Sequence, residues 1–151
     1  MTIITKNNII SALLASACGI ITADLFFRLY GIVIVYIGNP IIVKVLKYFC
    51  GTAYGRAYWW LHYFIFETLV LVITIIIIGC IIGAFLKIDK IIASIIAFIC
   101  FELTKAFMIY KVLSDFSVFS PIIHYLLISA VAFCLFWYSF YLGGIVRKKM
   151  S

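Results

Sequence analysis

The sequence predicts an all-α, polytopic membrane protein: a bundle of four transmembrane helices, with a short interfacial helix between the first and second spans. Three observations carry that prediction. The first is composition. Of 151 residues, 68% are hydrophobic and 11% charged, with a mean hydropathy of +1.29, whereas a soluble domain is about 45–50% apolar and about 25% charged. The second is continuity, because the apolar residues form runs long enough to cross a hydrocarbon core of about 30 Å as helix. The third is punctuation, since the runs stop at charged or turn-forming residues. Four spans use roughly 80 residues, so the whole chain, 1–151, reads as a single membrane domain.

The first apolar stretch covers 9–37, is interrupted by Asp24 and Arg28, and closes at Gly38-Asn39-Pro40. It exceeds the thickness of the core, so the span either tilts or ends early near Tyr30-Gly31, as 9–30. Over 40–51, Ile42, Val45, Leu46 and Phe49 recur at helical spacing with Lys44 and Lys47 on another face. That is the pattern of a short helix lying in the head-group plane, with a plain connector as the competing reading. An aromatic belt of Tyr54, Tyr58, Trp59 and Trp60 follows, with Arg56; Lys44, Lys47, Arg56, Trp59 and Trp60 together form a candidate interfacial contact surface. The second span covers 59–86 around the nearly unbroken run from Leu69 to Ile78. The third, 91–110, follows the tight charged link Lys87-Ile88-Asp89-Lys90, and the fourth, 121–145, opens on Pro121 and stops before Arg147-Lys148-Lys149. Proline is favoured in a first turn, where its missing N–H would have no partner anyway.

The net charge of +7 comes from basic residues scattered singly between apolar runs. No basic stripe backed by an aqueous domain exists, so nucleic acid is not an expected partner. The excess reads as orientation bias and as contact with anionic membrane lipids. Cys18, Cys50, Cys80, Cys100 and Cys134 include no C-x-x-C pair, so they read as small packing residues and no metal or cofactor is expected. Lys6, the apolar run from Ile9 and Ala15-Ser16-Ala17-Cys18-Gly19 are in part similar to a lipoprotein signal. Ala15 sits where such signals prefer Leu and the positive region is a single Lys, so cleavage is not expected. Asn7, Asn8 and Asn39 all lack a glycosylation acceptor context, which fits a bacterial inner membrane.

Four spans put both termini on one side. That side carries Lys6, Lys87, Lys90, Arg147, Lys148 and Lys149, six in all, and the other Lys44, Lys47, Arg56 and Lys111, four in all. Both termini are therefore expected in the cytoplasm. With that topology Asp24, Arg28, His62, Glu67, Glu102, Lys105 and His124 all fall in the half of the bilayer away from the termini. The other half is Ile-rich and carries small residues four apart: Ala15 and Gly19, Gly79 and Gly83, Ala93 and Ala97. This spacing lets helix backbones touch. The expected bundle is pinched at the cytoplasmic end and looser, with charged walls, at the outer end.

An ionisable group at mid-membrane costs about 2.5–3.5 kcal/mol on insertion scales, so each one raises a functional question. Asp24 and Arg28 are four apart and Glu102 and Lys105 three apart, so both couples can neutralise each other on their own helices. Glu67 has no cation one turn away and must be neutral, reach the interface, or find Arg28, Lys105 or His124 on another helix. The chain has no Gly-x-Ser-x-Gly, His-Glu-x-x-His or phosphate-cradling glycine loop, so it does not read as an enzyme. The first functional expectation is a small integral membrane protein that binds a partner in the outer half of the bilayer, as an immunity, exclusion or assembly factor does. That partner is another membrane protein or a second copy of the chain. The alternative is a small transporter or lipid-linked-substrate flippase subunit, dimeric, with Glu67 or Glu102 as the coupling carboxylate.

Overall fold

The computed structural model describes residues 6–53, 55, 58, 61–113 and 122–150. Every regular element among them is helical: α1 (Lys6–Val33), a π-helical stretch (Ile34–Ile42), α2 (Val43–Cys50), a 3-10 turn (Gly51–Ala53), a second π stretch (Leu61–Phe66), α3 (Glu67–Gly83), α4 (Lys90–Leu113) and α5 (Ile122–Met150). Three helical stretches, Asn7–Ala53, Lys90–Met108 and Leu126–Lys149, are long and apolar enough to cross a membrane. The fourth, α3, is a shorter apolar helix of 17 residues, led in by the π stretch before it.

Two expected boundaries are corrected. Gly38-Asn39-Pro40 does not end the first helix, and the short helix expected over 40–51 is α2, continuous with the stretch before it. Pro40 lies inside the π-helical stretch Ile34–Ile42, which runs straight into α2. The wider π turn accommodates a residue that cannot donate to, and would clash with, a regular α ladder. The resulting helical stretch covers 47 residues, Asn7–Ala53. Likewise α5 continues past Ile145 through Arg147, Lys148 and Lys149, whose charges suit the negative C-terminal end of a helix. Trp59, Trp60 and Pro121, expected at the start of spans two and four, lie outside the described residues.

The tightest neighbours are α1 with α4 and α3 with α5, with lesser contact of α1 on α3 and of α4 on α5. Helices α3 and α4, joined by a link of six residues from Ala84 to Asp89, therefore stand across the bundle from each other. Both tight pairs run parallel. Gly19 of α1 faces Ala97 and Phe101 of α4, while Gly79 and Gly83 of α3 face Ser139 and Phe140 of α5. A Cβ on Gly19 would fall 2.9 Å from the Phe101 nitrogen, and one on Gly83 would fall 2.7 Å from the Phe140 Cα. Gly143 makes the reciprocal approach, with its Cβ position 2.7 Å from the Ala84 nitrogen. Backbone touches backbone at these points, which is how helices gain dispersion contacts where lipid is as apolar as leucine.

Aromatic rings continue the packing through the middle of the bundle. Tyr30 stacks on Phe26 at 5.6 Å, Phe26 meets Phe101 at 6.4 Å, Phe101 meets Phe136 at 5.8 Å, and Phe136 meets Phe140 at 6.1 Å. Hydroxyls within the helices mostly donate back to their own ladder: Ser16 to Ala12 O, Thr74 to Val70 O, Ser94 to Lys90 O and Thr104 to Cys100 O, at 2.6–3.0 Å. This satisfies them without a partner helix.

The α3–α4 link is fastened at each end. Lys90 Nζ donates to the carbonyls of Gly83 and Leu86 at 3.2 and 3.0 Å, closing the C-terminus of α3. Asp89 Oδ1 accepts from Ile91 N at 2.8 Å and Ile92 N at 3.4 Å, capping the N-terminus of α4. Lys87 N donates to Ser11 Oγ at 3.0 Å, which ties the link to α1. The start of α1, the link and the end of α5 thus share one end of the bundle.

The backbone contact at Gly19 makes a direct prediction. Gly19→Val should lower stability by about 1–3 kcal/mol through overpacking, measured by unfolding in detergent micelles. Gly31→Ala, at a helical glycine with nothing within 4 Å of its Cβ position, should raise stability by roughly 0.5–1 kcal/mol.

Candidate functional site

Packing fixes the level of the charged residues. With Phe26 against Phe101 on parallel helices, Asp24 and Arg28 on α1 stand within roughly two turns of Glu102 and Lys105 on α4. With Gly79 against Ser139 on the other parallel pair, Glu67 on α3 falls near the level of Ser129 on α5. Ser129 Oγ in turn donates to Glu102 Oε1 at 2.9 Å. The acidic and basic groups of all three helices therefore occupy one band, at the end away from the link.

Within that band the residues divide. Arg28 Nε donates to Asp24 Oδ2 at 2.8 Å, and this pair faces outward, with side chains 71% and 40% exposed respectively. Lys105 turns inward: it is only 3% exposed, with its Nζ 5.9 Å from the centre of the Phe101 ring. The ring's negative face offers the ammonium favourable contact in a dry setting. Glu102 is half-buried and held by Ser129 of the neighbouring helix, and Glu67 is half-buried at the first turn of α3. The backbones of His62 and His124 lie in the second π stretch and in α5, while their side chains fall outside the described residues. Among the described residues no three His, Cys, Asp or Glu converge as metal ligands would.

The small residues lie in the opposite half. Ala15, Ala93 and Ala97 are fully buried, and Gly19, Gly79 and Gly83 are buried with them. Of the expected interfacial surface, Lys44 and Lys47 are exposed on α2, whereas Arg56, Trp59 and Trp60 lie outside the described residues. Tyr36, Tyr48 and Phe49 flank those lysines along the same helix and are 70%, 84% and 77% exposed. Among the described residues, the helix from Ile34 to Ala53 packs substantially only on its own neighbouring turns.

Hollows of about 340, 500 and 260 Å³ open at the end that carries the α3–α4 link. The link crosses the bundle floor between opposite helices, and glycines at 83 and 144 leave volume beside it. Sequence reasoning missed Ser129, Ser139 and Gly143. The Gly143-Gly144 dipeptide was the one visible signal, since adjacent glycines within an apolar span mark close backbone approach.

No protein family matches this chain, and neither does any curated protein or solved structure. The functional reading therefore rests on the residues and their geometry. Ser129→Ala should cost about 1 kcal/mol of stability by stripping a donor from Glu102, while Ser129→Thr should keep most of it; chemical unfolding in bicelles distinguishes the two.

Proposed function

We propose that this protein is a four-span bacterial inner-membrane protein with cytoplasmic termini that works by binding another membrane protein at the outer half of the bilayer. The observation that carries this reading is the uncovered far portion of the first helix. It begins with the outward-facing Asp24–Arg28 pair and continues through Tyr36, Tyr48 and Phe49, all at least 70% exposed. Aromatics and arginine are the residues that dominate binding energy where a partner excludes water or lipid. An ion pair on the outer surface of an apolar bundle also gains most when a partner supplies further hydrogen bonds to it, because lipid supplies none.

Lys44 and Lys47 add positive charge to the same helix, and the band of Glu67, Glu102 and Lys105 lies at the level of Arg28. This fits an immunity, exclusion or assembly factor that meets its partner sideways within the membrane. Transport by a single bundle would need a path through the middle, which the rings of Phe26, Phe101 and Phe136 fill. That argues for binding over carriage.

Photo-crosslinking in native membranes tests the reading. A crosslinker at Tyr48 should capture another membrane protein, and Arg28→Ala should lower that yield about tenfold or more, equivalent to roughly 1.4 kcal/mol or more. The same crosslinker at Ile77, exposed on α3, should capture no protein. An adduct of twice 17.2 kDa would make the partner a second copy of the chain. Equal capture at both positions, or none at Tyr48, would remove the proposal.

A further inference from the structure

The end of the bundle opposite to the proposed partner surface carries a second feature. A hollow of about 340 Å³ lies between the C-terminus of α3, the link and the last turns of α5. Lys87, Lys90, Arg147 and Lys148 line it, with Gly83 and Gly144 among its walls. Among the described residues no carboxylate lines it. The nearest acid in sequence, Asp89, is engaged with the amides of Ile91 and Ile92. Lys90 and Arg147 are close enough for their charges to repel.

One of those cations is accounted for by the fold, since two of the three Lys90 N–H groups serve the carbonyls of Gly83 and Leu86. Lys87, Arg147 and Lys148 bring three further cations to the same recess. The floor is small: a Cβ on Gly144 would sit in ordinary van der Waals contact, 3.5 Å from Lys90 Cε. The hollow shares Lys90, Gly144 and Lys148 with a second one of about 260 Å³, whose remaining walls are Tyr141 and Ile145, both exposed on the side of α5. A polar recess thus opens onto an aromatic and aliphatic lip that faces the surroundings of the bundle.

We propose that this recess binds a phosphate group, with Arg147 and Lys148 as its principal contacts and Lys90 as its floor. Arginine offers a planar pair of donors to two phosphate oxygens, and lysines add point charge. An anion seated between Lys90 and Arg147 relieves their repulsion. The lip along Tyr141 and Ile145 suits the first carbons of an acyl chain, so an anionic lipid head group and a soluble phosphate are the two sources of the same chemistry. Basic pockets between membrane helices at the cytoplasmic face are known to take such head groups.

The test uses the purified full-length protein in neutral detergent and follows its thermal unfolding midpoint. The probes are phosphatidylglycerol, phosphatidylcholine and inorganic phosphate, each added separately. Phosphatidylglycerol should raise the midpoint of the wild type and of Lys149→Gln, a variant that removes the neighbouring charge that does not line the recess. In Arg147→Gln/Lys148→Gln the rise should fall to half or less. A comparable rise with inorganic phosphate, lost in the same double variant, assigns the site to a soluble phosphate. Native mass spectrometry of Arg147→Gln alone gives an independent readout, with retained lipid reduced severalfold against Lys149→Gln. No shift with either phosphate probe, an equal shift with phosphatidylcholine, or equal loss in Lys149→Gln would overturn the proposal.

Discussion

Helices in hydrocarbon gain nothing by hiding apolar side chains from one another, so association depends on how closely their backbones can approach. In this chain that condition is met at four glycines. Gly19 lets α1 lie against Ala97 of α4, Gly79 admits the Ser139 side chain, and Gly83 and Gly143 let α3 and α5 meet backbone to backbone. Each contact joins parallel helices, so it also fixes their axial register. With Gly19 at Ala97, Phe26 comes to Phe101, and the ring chain can run across to Phe136 and Phe140. The short α3–α4 link then crosses the bundle floor, because its two helices belong to different close pairs.

The same register decides how each charge is accommodated. At the link end, charge is absorbed by the helix termini: Asp89 caps one helix and Lys90 closes another. At the far end the charges find side-chain or ring partners. Arg28 bonds Asp24 one turn away, Glu102 receives Ser129 from α5, and Lys105 is buried over the ring of Phe101. Ion pairs and ring contacts of this kind are modest in energy when exposed and larger when dry. The inward group thus contributes to the bundle, and the outward pair leaves its remaining donors and acceptors for something else.

The helical class was legible in composition and run length, because only helices satisfy their backbone within a single apolar segment. The Asp24–Arg28 pair was legible in its spacing of four, which places the two side chains on one face. Gly38-Asn39-Pro40 misled, since turn-forming residues mark a stop only where the α ladder is the sole option, and a π turn was used instead. The pairing of α1 with α4 and of α3 with α5 was not legible: span order and short links carry no record of which faces meet. For the same reason the Ser129–Glu102 bond and the basic recess, each made by residues distant in sequence, were visible only once the helices were packed.

The two π-helical stretches, Ile34–Ile42 and Leu61–Phe66, lie at the same end of the bundle, just beyond the last close contacts of α1 and α3. Where glycines press backbones together, an extra residue in a turn would rotate every later side chain away from its partner, so the α ladder stays regular from Ala15 to Phe26 and from Val70 to Gly83. Beyond Val33 no neighbouring helix among the described residues imposes a face, and the ladder can widen around Pro40 at little cost in packing. Among the described residues, the surface carrying Tyr36, Lys44, Tyr48 and Phe49 is thus set by local sequence and not by the bundle's own packing, which is the condition under which a surface can be shaped for contact with a different molecule.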